Sequence, residues 1–546
     1  MKNAFKKIGL FVLILAMSLS LVACGGGDEE PEAPTEVTFT YAIGGEPDVL
    51  DPAVGSDNVT SAITNQIYFP LFSIGADGSL VYDAVESYTV SDDGLVYTFT
   101  LVEENFWSDG EKVTAEDYVF GMKRSVGMGA ADSYYSYFIT DYVKNAKAYG
   151  EAMADIADMV DIGIEAVDEK TIVVTLEKPT VYFVNLMTAG VFYPLRAEFA
   201  TEHDSTWSLD ATVPTNGPFQ TTKIDSAEEI IMVRNEFFPF ADQVKFDTIV
   251  AKVMSDMDAQ LLAFQNGEID MATSVNTDVT SIYDGKEELV ITDSVINYFV
   301  LFNAYSESAP ALADVNVRKA LQLAINRDDI ILALDAGDTY YPLFGFIPKG
   351  FAGATGDFRE EQDAANVLVK TDPEAAKALL AEAGYDASNP LKFTYYYNQS
   401  ATHDIVAQVI QQQWANVGIE VTLKTGEIRT FFDDRTNGLF ELARHAMSAD
   451  YMDVSTYLDM ATSWNQAGVS WGDATYDEMI LASQGETDPA VRIQMLHDAE
   501  TYLVQEQAYT VPLFGYSSIY LIKAGTTGIL YNPQGSYSLA YASFAE

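Results

Sequence analysis

The chain has 546 residues, and its 81 acidic against 30 basic side chains give a formal net charge of −51. So negative a protein repels nucleic acid and anionic lipid surfaces, which excludes both as favoured partners. The length predicts two or three domains, because single cores stop growing beyond about 250–300 residues. One cysteine excludes an internal disulfide bond, so packing alone has to hold these domains together.

The N-terminal segment is typical of a secretory signal. Lysines at positions 2, 6 and 7 precede the apolar run Ile8–Leu21, which is shorter than the roughly 20 residues that span a bilayer. Leu21-Val22-Ala23-Cys24 then resembles the lipobox of bacterial lipoproteins, in which the cysteine is acylated and becomes the first mature residue. We expect a signal peptide at 1–23, lipidation of Cys24 and a flexible linker at 24–36. The alternative is an ordinary signal peptide with a chance cysteine.

The first part of the following chain reads as an α+β region. Thr114, with Asp117 three residues later, forms a capping pattern that predicts a helix start. Asp92-Asp93-Gly94 predicts a hairpin turn rather than a calcium loop. Alternating apolar and polar residues predict strands at Val37–Ile43 and Val96–Leu101, and a hairpin formed by Ile162–Ile164 and Ile172–Leu176.

Later in the chain, helices alternate with strands. Asp314 is placed to cap one helix, and Asp372 to cap another that begins with proline and ends at Gly384. A third helix, Asp404–Val417, precedes the strand Ile419–Leu423. This alternation predicts a second, α/β lobe.

The common catalytic and metal-binding motifs do not occur in the sequence. It has no Gly-x-Ser-x-Gly turn, no phosphate-binding loop, no Cys-x-x-Cys pair and no His-Glu-x-x-His pair. Its four histidines, at 203, 403, 445 and 497, are scattered. We therefore expect a protein that is not an enzyme and has no cofactor and no metal site. A hydrolase with an unrecognised site stays as an alternative.

Seven segments follow one another along the chain in a recognisable order: Glu46–Pro52, Val90–Leu101, Trp107–Phe120, Asn216–Phe219, Asp314–Leu321, Ala324–Arg327 and Ala449–Tyr451. Together they resemble one family, the extracellular solute-binding proteins of peptide ABC transporters (the oligopeptide-binding type, bacterial lipoproteins). The resemblance runs from about residue 37 to the C-terminus.

The resemblance implies an α/β, two-lobed periplasmic-binding-protein-like fold with two hinge crossovers and an extra α+β subdomain on the first lobe. The crossovers are expected near residues 298 and 518. Mapped onto this sequence, the first lobe is 37–68, 193–298 and 518–546, the extra subdomain is 69–192, and the second lobe is 299–517.

The resemblance also implies where the amino terminus of a peptide would bind. A buried ammonium needs a carboxylate, and Asp450 matches the family's acid for this role. Ala446, Met447 and Ser448 would offer backbone groups beside it. The family often has glycine and tryptophan at positions 446 and 447, so we expect a differently shaped first side-chain pocket. The alternative for Asp450 is a helix-capping or solvated aspartate.

The ligand's carboxylate needs cations, and Arg444, Arg435 and His403 match basic positions of the family. Surface ion pairs are the competing account of the arginines, and a capping or polar core residue that of His403. Tyr135, or Tyr134 if the register is off by one, matches a ligand-contacting tyrosine. On the first lobe, residues 55–59 could supply a strand edge, although the family's acid there is replaced by a serine at position 56.

We therefore expect a monomeric lipoprotein, held outside the bacterial cell membrane by its lipid, that binds peptides between two lobes. It would deliver them to the permease subunits of an ABC importer, without binding nucleic acid. Within the same fold the alternatives are a pheromone peptide, a nickel chelate, haem or a short sugar. A surface hydrolase is the alternative from another class.

Overall fold

Two long neighbouring strands lie in the middle of the large sheet of the molecule. The computed structural model describes residues 36–128, 132–151, 162–200, 205–277, 279–335, 337–365, 370–386, 388–465 and 471–545. Thr38–Glu546 forms one compact unit. The predicted signal peptide, Cys24 and all but the last residue of the predicted linker lie outside the described residues.

The strands of the described residues are numbered in chain order. They are β1 Thr38–Ile43, β2 Phe72–Ile74, β3 Leu80–Tyr82, β4 Val85–Val90, β5 Val96–Leu101, β6 Ile164–Asp168, β7 Thr171–Thr175, β8 Phe219–Asp225, β9 Glu229–Arg234, β10 Thr248–Val253, β11 Met271–Ala272, β12 Leu289–Phe302, β13 Tyr340–Pro342, β14 Leu391–Asn398, β15 Ile419–Gly426, β16 Leu442–Ser448, β17 Thr510–Ile522, β18 Thr526–Thr527, β19 Leu530–Tyr531, β20 Tyr537–Ser538 and β21 Ser543–Phe544.

Many helices begin at an aspartate whose side chain accepts hydrogen bonds from the first turn, which places part of the acid excess at helix N-termini. These capping residues are Asp57, Asp256, Asp314, Asp372, Asp473 and Asp488. The α-helices of the described residues are Asn58–Ile67, Ala115–Met128, Tyr137–Thr140, Ala146–Glu151, Phe183–Leu186, Met257–Asn266, Val279–Ile282, Val315–Leu323, Arg327–Leu334, Phe358–Ala365, Pro373–Glu382, Ala401–Asn416, Ile428–Thr436, Ser455–Leu458, Ala474–Gln484 and Pro489–Thr501.

One large sheet runs through the molecule in the order β15-β14-β16-β12-β17-β11-β1-β10-β9-β8, with β13 paired to β17 beside this path. Its two longest strands, β12 and β17, have 14 and 13 residues. They pair antiparallel with each other from Leu289 opposite Leu521 to Leu301 opposite Thr510. Strands on both sides of this pair therefore belong to a single sheet, which extends from one lobe to the other.

The β12–β17 pairing is interrupted in its middle. The register shifts between Asp293 and Asn297, where β12 has two extra residues, and again between Tyr298 and Phe299, where β17 has one extra residue. A bulge of this kind bends a strand locally. Both predicted crossovers, near residues 298 and 518, fall within these two strands. The residue limits of the lobes and the extra subdomain stay predictions.

A four-stranded antiparallel sheet, β4-β5-β7-β6, lies within the predicted extra subdomain. It contains the two predicted hairpins, and Gly94 closes the first with a φ of 71°. The predicted helix start is confirmed, because Asp117 accepts hydrogen bonds from the backbone nitrogen and the hydroxyl of Thr114, at 2.7 and 3.0 Å. The helix Ala115–Met128 and this sheet share one apolar core.

The predicted elements of the second lobe are also present. Asp314 and Asp372 cap their helices, and Gly384 has a φ of 89° just after the second one. The third helix is longer than predicted, since Ala401–Asn416 begins three residues before Asp404. Its buried side chains recur at helical spacing and end with Trp414, whose ring nitrogen donates to the Leu321 carbonyl at 2.9 Å.

Candidate functional site

Strand β16 carries most of the predicted site. Along one edge it pairs with β12 over its whole length, from Leu442 to Ser448. Along the other edge, its pairing with β14 covers only Leu442 and Ala443. In the described part of the chain, the residues from Arg444 to Ser448 therefore have no strand on that side. An extended chain could pair with such an edge.

Two of the predicted backbone groups on β16 are partly engaged. The His445 ring nitrogen Nδ1 lies 2.8 Å from the Ala446 carbonyl oxygen, and the Met447 amide donates to Asn297 Oδ1 at 3.3 Å. Ser448 is exposed at the end of the strand. The alanine and methionine side chains are half-buried, so this end of the strand is lined by small and flexible groups.

Asp450 follows β16 by two residues, and its carboxylate faces the predicted extra subdomain. Oδ2 accepts a hydrogen bond from the Tyr137 hydroxyl at 2.9 Å, across 313 residues of sequence. Its backbone nitrogen donates to Thr456 Oγ1 at 3.1 Å. No lysine, arginine or histidine of the described residues forms an ion pair with it. Burial raises the pKa of Asp450, and the hydroxyls of Tyr137 and Tyr135 partly offset that rise.

Tyr137, which is not among the predicted site residues, donates a hydrogen bond to Asp450. The Tyr135 ring packs 6.4 Å from the Tyr137 ring, and Tyr134 is 57% exposed. Tyr135 still acts on the carboxylate, because its hydroxyl lowers the pKa of Asp450. Sequence reasoning missed Tyr137, although the run Tyr134-Tyr135-Ser136-Tyr137 offered three tyrosines within one turn.

The side chains of the two predicted arginines, Arg444 on β16 and Arg435 on the helix Ile428–Thr436, lie together. Arg444 is 7% exposed and donates from Nε to Asn398 Oδ1 at 2.7 Å, and its Nη2 bonds the same oxygen. Arg435 is 8% exposed, and its Nε and Nη1 are buried without a hydrogen-bond partner among the described residues. Phe432 contacts both guanidinium groups, at 5.8 and 5.2 Å from the ring centre. Burial, and then the nearby Arg444 charge, lowers the pKa of Arg435 to about 10.

The surface ion pairs that competed with a binding role are absent for these arginines within the described residues, where no carboxylate oxygen lies within 4.0 Å of either guanidinium. Buried charged groups normally have a partner. The two guanidinium groups therefore lie buried without a negative counter-charge among the described residues.

Two histidines belong to the same region. His403 Nδ1 lies 3.2 Å from the Tyr298 hydroxyl, and burial together with Arg444 lowers the pKa of His403 to about 4. His445, which was not among the predicted site residues, stacks on Phe299 at 4.9 Å. Burial, and then Arg435, holds the pKa of His445 far below its usual value. Both rings are therefore neutral near pH 7 and can act only as hydrogen-bond partners.

The first-lobe segment at residues 55–59 is a loop that leads into a helix, not a strand edge. Asp57 caps that helix and accepts from the backbone nitrogens of Val59 and Thr60, each at 2.9 Å. Just before it, Asp51 forms a fully buried ion pair with Arg124 at 2.7 Å. Asp51 also accepts from the Ala53 amide at 3.0 Å, so the start of this segment is anchored.

Other candidate features do not include the predicted site residues. A cavity of about 620 Å³ is lined by none of the predicted site residues, and its walls include Asn303, Tyr305, Tyr396, Lys424 and Glu441. Within the described residues, no group of three or more His, Cys, Asp or Glu side chains is arranged to hold a metal ion. No helix in that part of the chain is both long and apolar enough to cross a membrane.

The geometry agrees with comparisons with known proteins. The dipeptide-binding protein DppE of Bacillus subtilis is 28% identical, over 98% of this chain and 99% of its own length. The probable deoxycholate-binding periplasmic protein YgiS of Escherichia coli is also 28% identical, over 96% of each chain. A crystal structure of a periplasmic oligopeptide-binding protein from Borrelia burgdorferi superposes with a TM-score of 0.74 and 27% identity, over 93% of this chain and all of that one.

A family model described as bacterial extracellular solute-binding proteins, family 5, middle region, matches residues 79–468. The matched span covers more than half of the sequence and includes β16, Asp450 and both arginines. The two-lobed α/β fold expected from the sequence is confirmed by the same likeness. The chain therefore belongs to the bacterial extracellular solute-binding proteins of family 5.

Proposed function

We propose that this protein binds short peptides outside the cytoplasmic membrane and delivers them to the permease subunits of an ABC importer. The observation that carries the proposal is that charged side chains of opposite sign lie around β16 and have no ionic partner within the described residues. A carboxylate without a basic partner lies at one end, and two arginines without an acidic partner lie at the other. The names of DppE and of the Borrelia protein support peptides as the ligand class.

The ends of a peptide match these charges. Its ammonium group would bind Asp450, displacing the Tyr137 hydroxyl or sharing the carboxylate with it. Its carboxylate would bind Arg444 and Arg435, since guanidinium groups can hold carboxylates through two hydrogen bonds. Neutral His403 would serve as a further hydrogen-bond partner beside them.

The middle of the ligand would use the open edge of β16. The six-residue step from Arg444 to Asp450 spans at most about 20 Å at strand geometry. An extended peptide of three to five residues is about 10–18 Å long and therefore fits within this span. Backbone hydrogen bonds along the edge would hold any sequence, while the side chains reach pockets lined by residues such as Met447.

Other ligand classes leave part of this arrangement without a partner. A short sugar would not use Asp450 or the arginines as charged groups. A bile acid, as in the name of the Escherichia coli relative, could use the arginines but not Asp450. Haem and nickel chelates would likewise offer no ammonium group that could form a hydrogen-bonded ion pair with Asp450. A pheromone peptide would use the same contacts as a nutrient peptide and stays within the proposal.

The decisive experiment is native mass spectrometry of the gently purified protein, followed by calorimetric titration with the compounds that it releases. We expect compounds with amide linkages and a free amino terminus, bound one per chain. A released haem, sugar or metal chelate, together with no measurable affinity for peptides of two to five residues, would overturn the proposal.

Peptide affinity is expected to fall as the pH is lowered towards 4.5. The carboxylate form of Asp450 binds the ammonium, and burial raises the pKa of that carboxyl in the ligand-free protein. Below this raised pKa the group is protonated, so affinity should fall by up to about tenfold per pH unit. Above it, affinity should level off. Calorimetry between pH 4.5 and 7.5 measures this, and Asp450→Asn should remove most of the pH dependence; an unchanged slope in that variant would contradict the assignment.

We further propose that Cys24 carries the lipid that holds the protein at the outer face of the cell membrane. The support is the Leu21-Val22-Ala23-Cys24 sequence and the fact that this is the chain's only cysteine. Cys24→Ala should move most of the protein from the membrane fraction to the medium or periplasm while leaving peptide affinity unchanged. Fractionation and immunoblotting check this, with Ser18→Ala as a control within the same segment. A Cys24→Ala protein that stays in the membrane fraction would disprove lipid anchoring.

A further inference from the structure

The two buried arginines of the site carry more positive charge than one carboxylate can neutralise. Arg435 and Arg444 lie close enough that the charge of Arg444 lowers the pKa of Arg435. Each also packs on Phe432. The only side-chain acceptor that Arg444 bonds within the described residues is the neutral amide of Asn398.

Arg435 differs from the other buried arginines in having no bonded acceptor within the described residues. Arg124 pairs with Asp51 and Arg359 with Glu500. Arg318 and Arg327 have no acidic partner but donate to backbone carbonyls. Acids are also near in sequence, because Asp433 and Asp434 directly precede Arg435 on the same helix. Asp434 instead accepts from the Tyr396 hydroxyl at 3.0 Å.

From this arrangement we infer that the preferred ligands carry two negative groups at their carboxyl end, as a peptide with a C-terminal glutamate or aspartate does. The inference rests on the proposed function and adds the substrate class. The main-chain carboxylate would bind one guanidinium, and the side-chain carboxylate would bind the other. A ligand with one carboxylate would leave one buried guanidinium without a counter-charge, which is costly.

The charge state of the two neighbouring histidines agrees with one ligand carboxylate for each arginine. His403 and His445 are neutral near pH 7, so they add no further positive charge to the pair of arginines. Two carboxylates would therefore balance the local charge. The unpartnered Nε and Nη1 of Arg435 mark this arginine, rather than Arg444, as the one that lacks a hydrogen-bond acceptor.

The test compares peptides that differ only at the last side chain. Alanine peptides of two to five residues that end in glutamate are titrated beside the same peptides ending in glutamine, at pH 7 and low salt. We expect the glutamate peptides to bind at least tenfold more tightly at the best length. Arg435→Gln should reduce that ratio to below about twofold, because it should weaken the glutamate peptide more than the glutamine peptide. Arg429→Gln, an exposed site on the same helix, is the matched control and should keep the full ratio.

Each outcome decides between distinct conclusions. Equal affinities of the wild-type protein for the two peptides would overturn the inference and leave the proposed function standing. An equal loss of both peptides in Arg435→Gln would leave the ratio unchanged and would also overturn it, because Arg435 would then not distinguish the two C-terminal side chains. Failure of every peptide to bind would overturn the proposed function itself. The wild-type comparison holds even if Arg435→Gln does not fold, which circular dichroism would show.

Discussion

Replacing Asp450 by alanine should weaken the binding of peptides with a free amino terminus by about a hundredfold or more. The carboxylate lies in a half-buried position, where its side chain bonds Tyr137 and no basic residue of the described chain pairs with it. Without it, the ligand's ammonium would be buried and unpaired, and breaking a buried pair in this way costs about 3–5 kcal/mol. Calorimetric titration of the variant with a free-amine peptide measures the loss.

The controls separate recognition of the ammonium from damage to the site. The amino-acetylated form of the same peptide has no ammonium, so its weaker affinity should change little between wild type and Asp450→Ala. Asp498→Ala removes an exposed acid from a helix of the second lobe and should alter neither affinity. A similar loss for both peptides in Asp450→Ala would show that Asp450 supports the fold of the site and does not bind the ammonium.

Asp51→Asn should lower the free energy of unfolding by about 3–5 kcal/mol, because it removes the buried carboxylate that pairs with the buried Arg124 guanidinium. Both side chains are fully buried, and their closest atoms are 2.7 Å apart. Asp51 also accepts hydrogen bonds from the Ser205 hydroxyl at 2.7 Å and from the Ala53 amide. Together with Arg124, these bonds connect Asp51 to three parts of the chain. Urea denaturation followed by tryptophan fluorescence measures the change.

An exposed ion pair provides the comparison. Lys392 and Glu420 lie 2.7 Å apart on neighbouring strands, but their side chains are 70% and 59% exposed. Glu420→Gln should therefore cost less than about 1 kcal/mol. If Asp51→Asn cost no more than Glu420→Gln, the buried pair would not be what anchors the segment before the helix Asn58–Ile67.

Local patterns in the sequence predicted those elements whose causes are local. Asp314 and Asp372 were identified as helix caps because a short acidic side chain reaches the backbone nitrogens of the next turn. Gly94 was placed in a hairpin because its turn needs a positive φ. The helix containing Trp414 is predicted at Asp404–Val417 and observed at Ala401–Asn416, so it begins three residues and ends one residue earlier.

The site was harder to predict, because its geometry depends on contacts between distant parts of the chain. Asp450 and Tyr137 are separated by 313 residues, and no local pattern could have selected Tyr137 over Tyr135. Motif resemblance brought Arg435 and Arg444 into consideration, but only the packing around Phe432 shows that they lie side by side. His445 was overlooked since its burial follows from its position on β16, which the sequence did not reveal.

The shared β12–β17 pair constrains how the two lobes can move. The two connections between the lobes are β12 and β17, which lie next to each other. They pair through backbone hydrogen bonds on either side of the register shifts that follow Asp293. Two adjacent strands act as one hinge axis. The lobes can therefore rotate about this axis, whereas the paired strands resist sliding and twisting of one lobe against the other. Opening would then be a rotation about a single hinge axis, and the gap between the lobes would be widest farthest from that axis. The displacement would be smallest at Asn297 and Gly515, which face each other in the hinge.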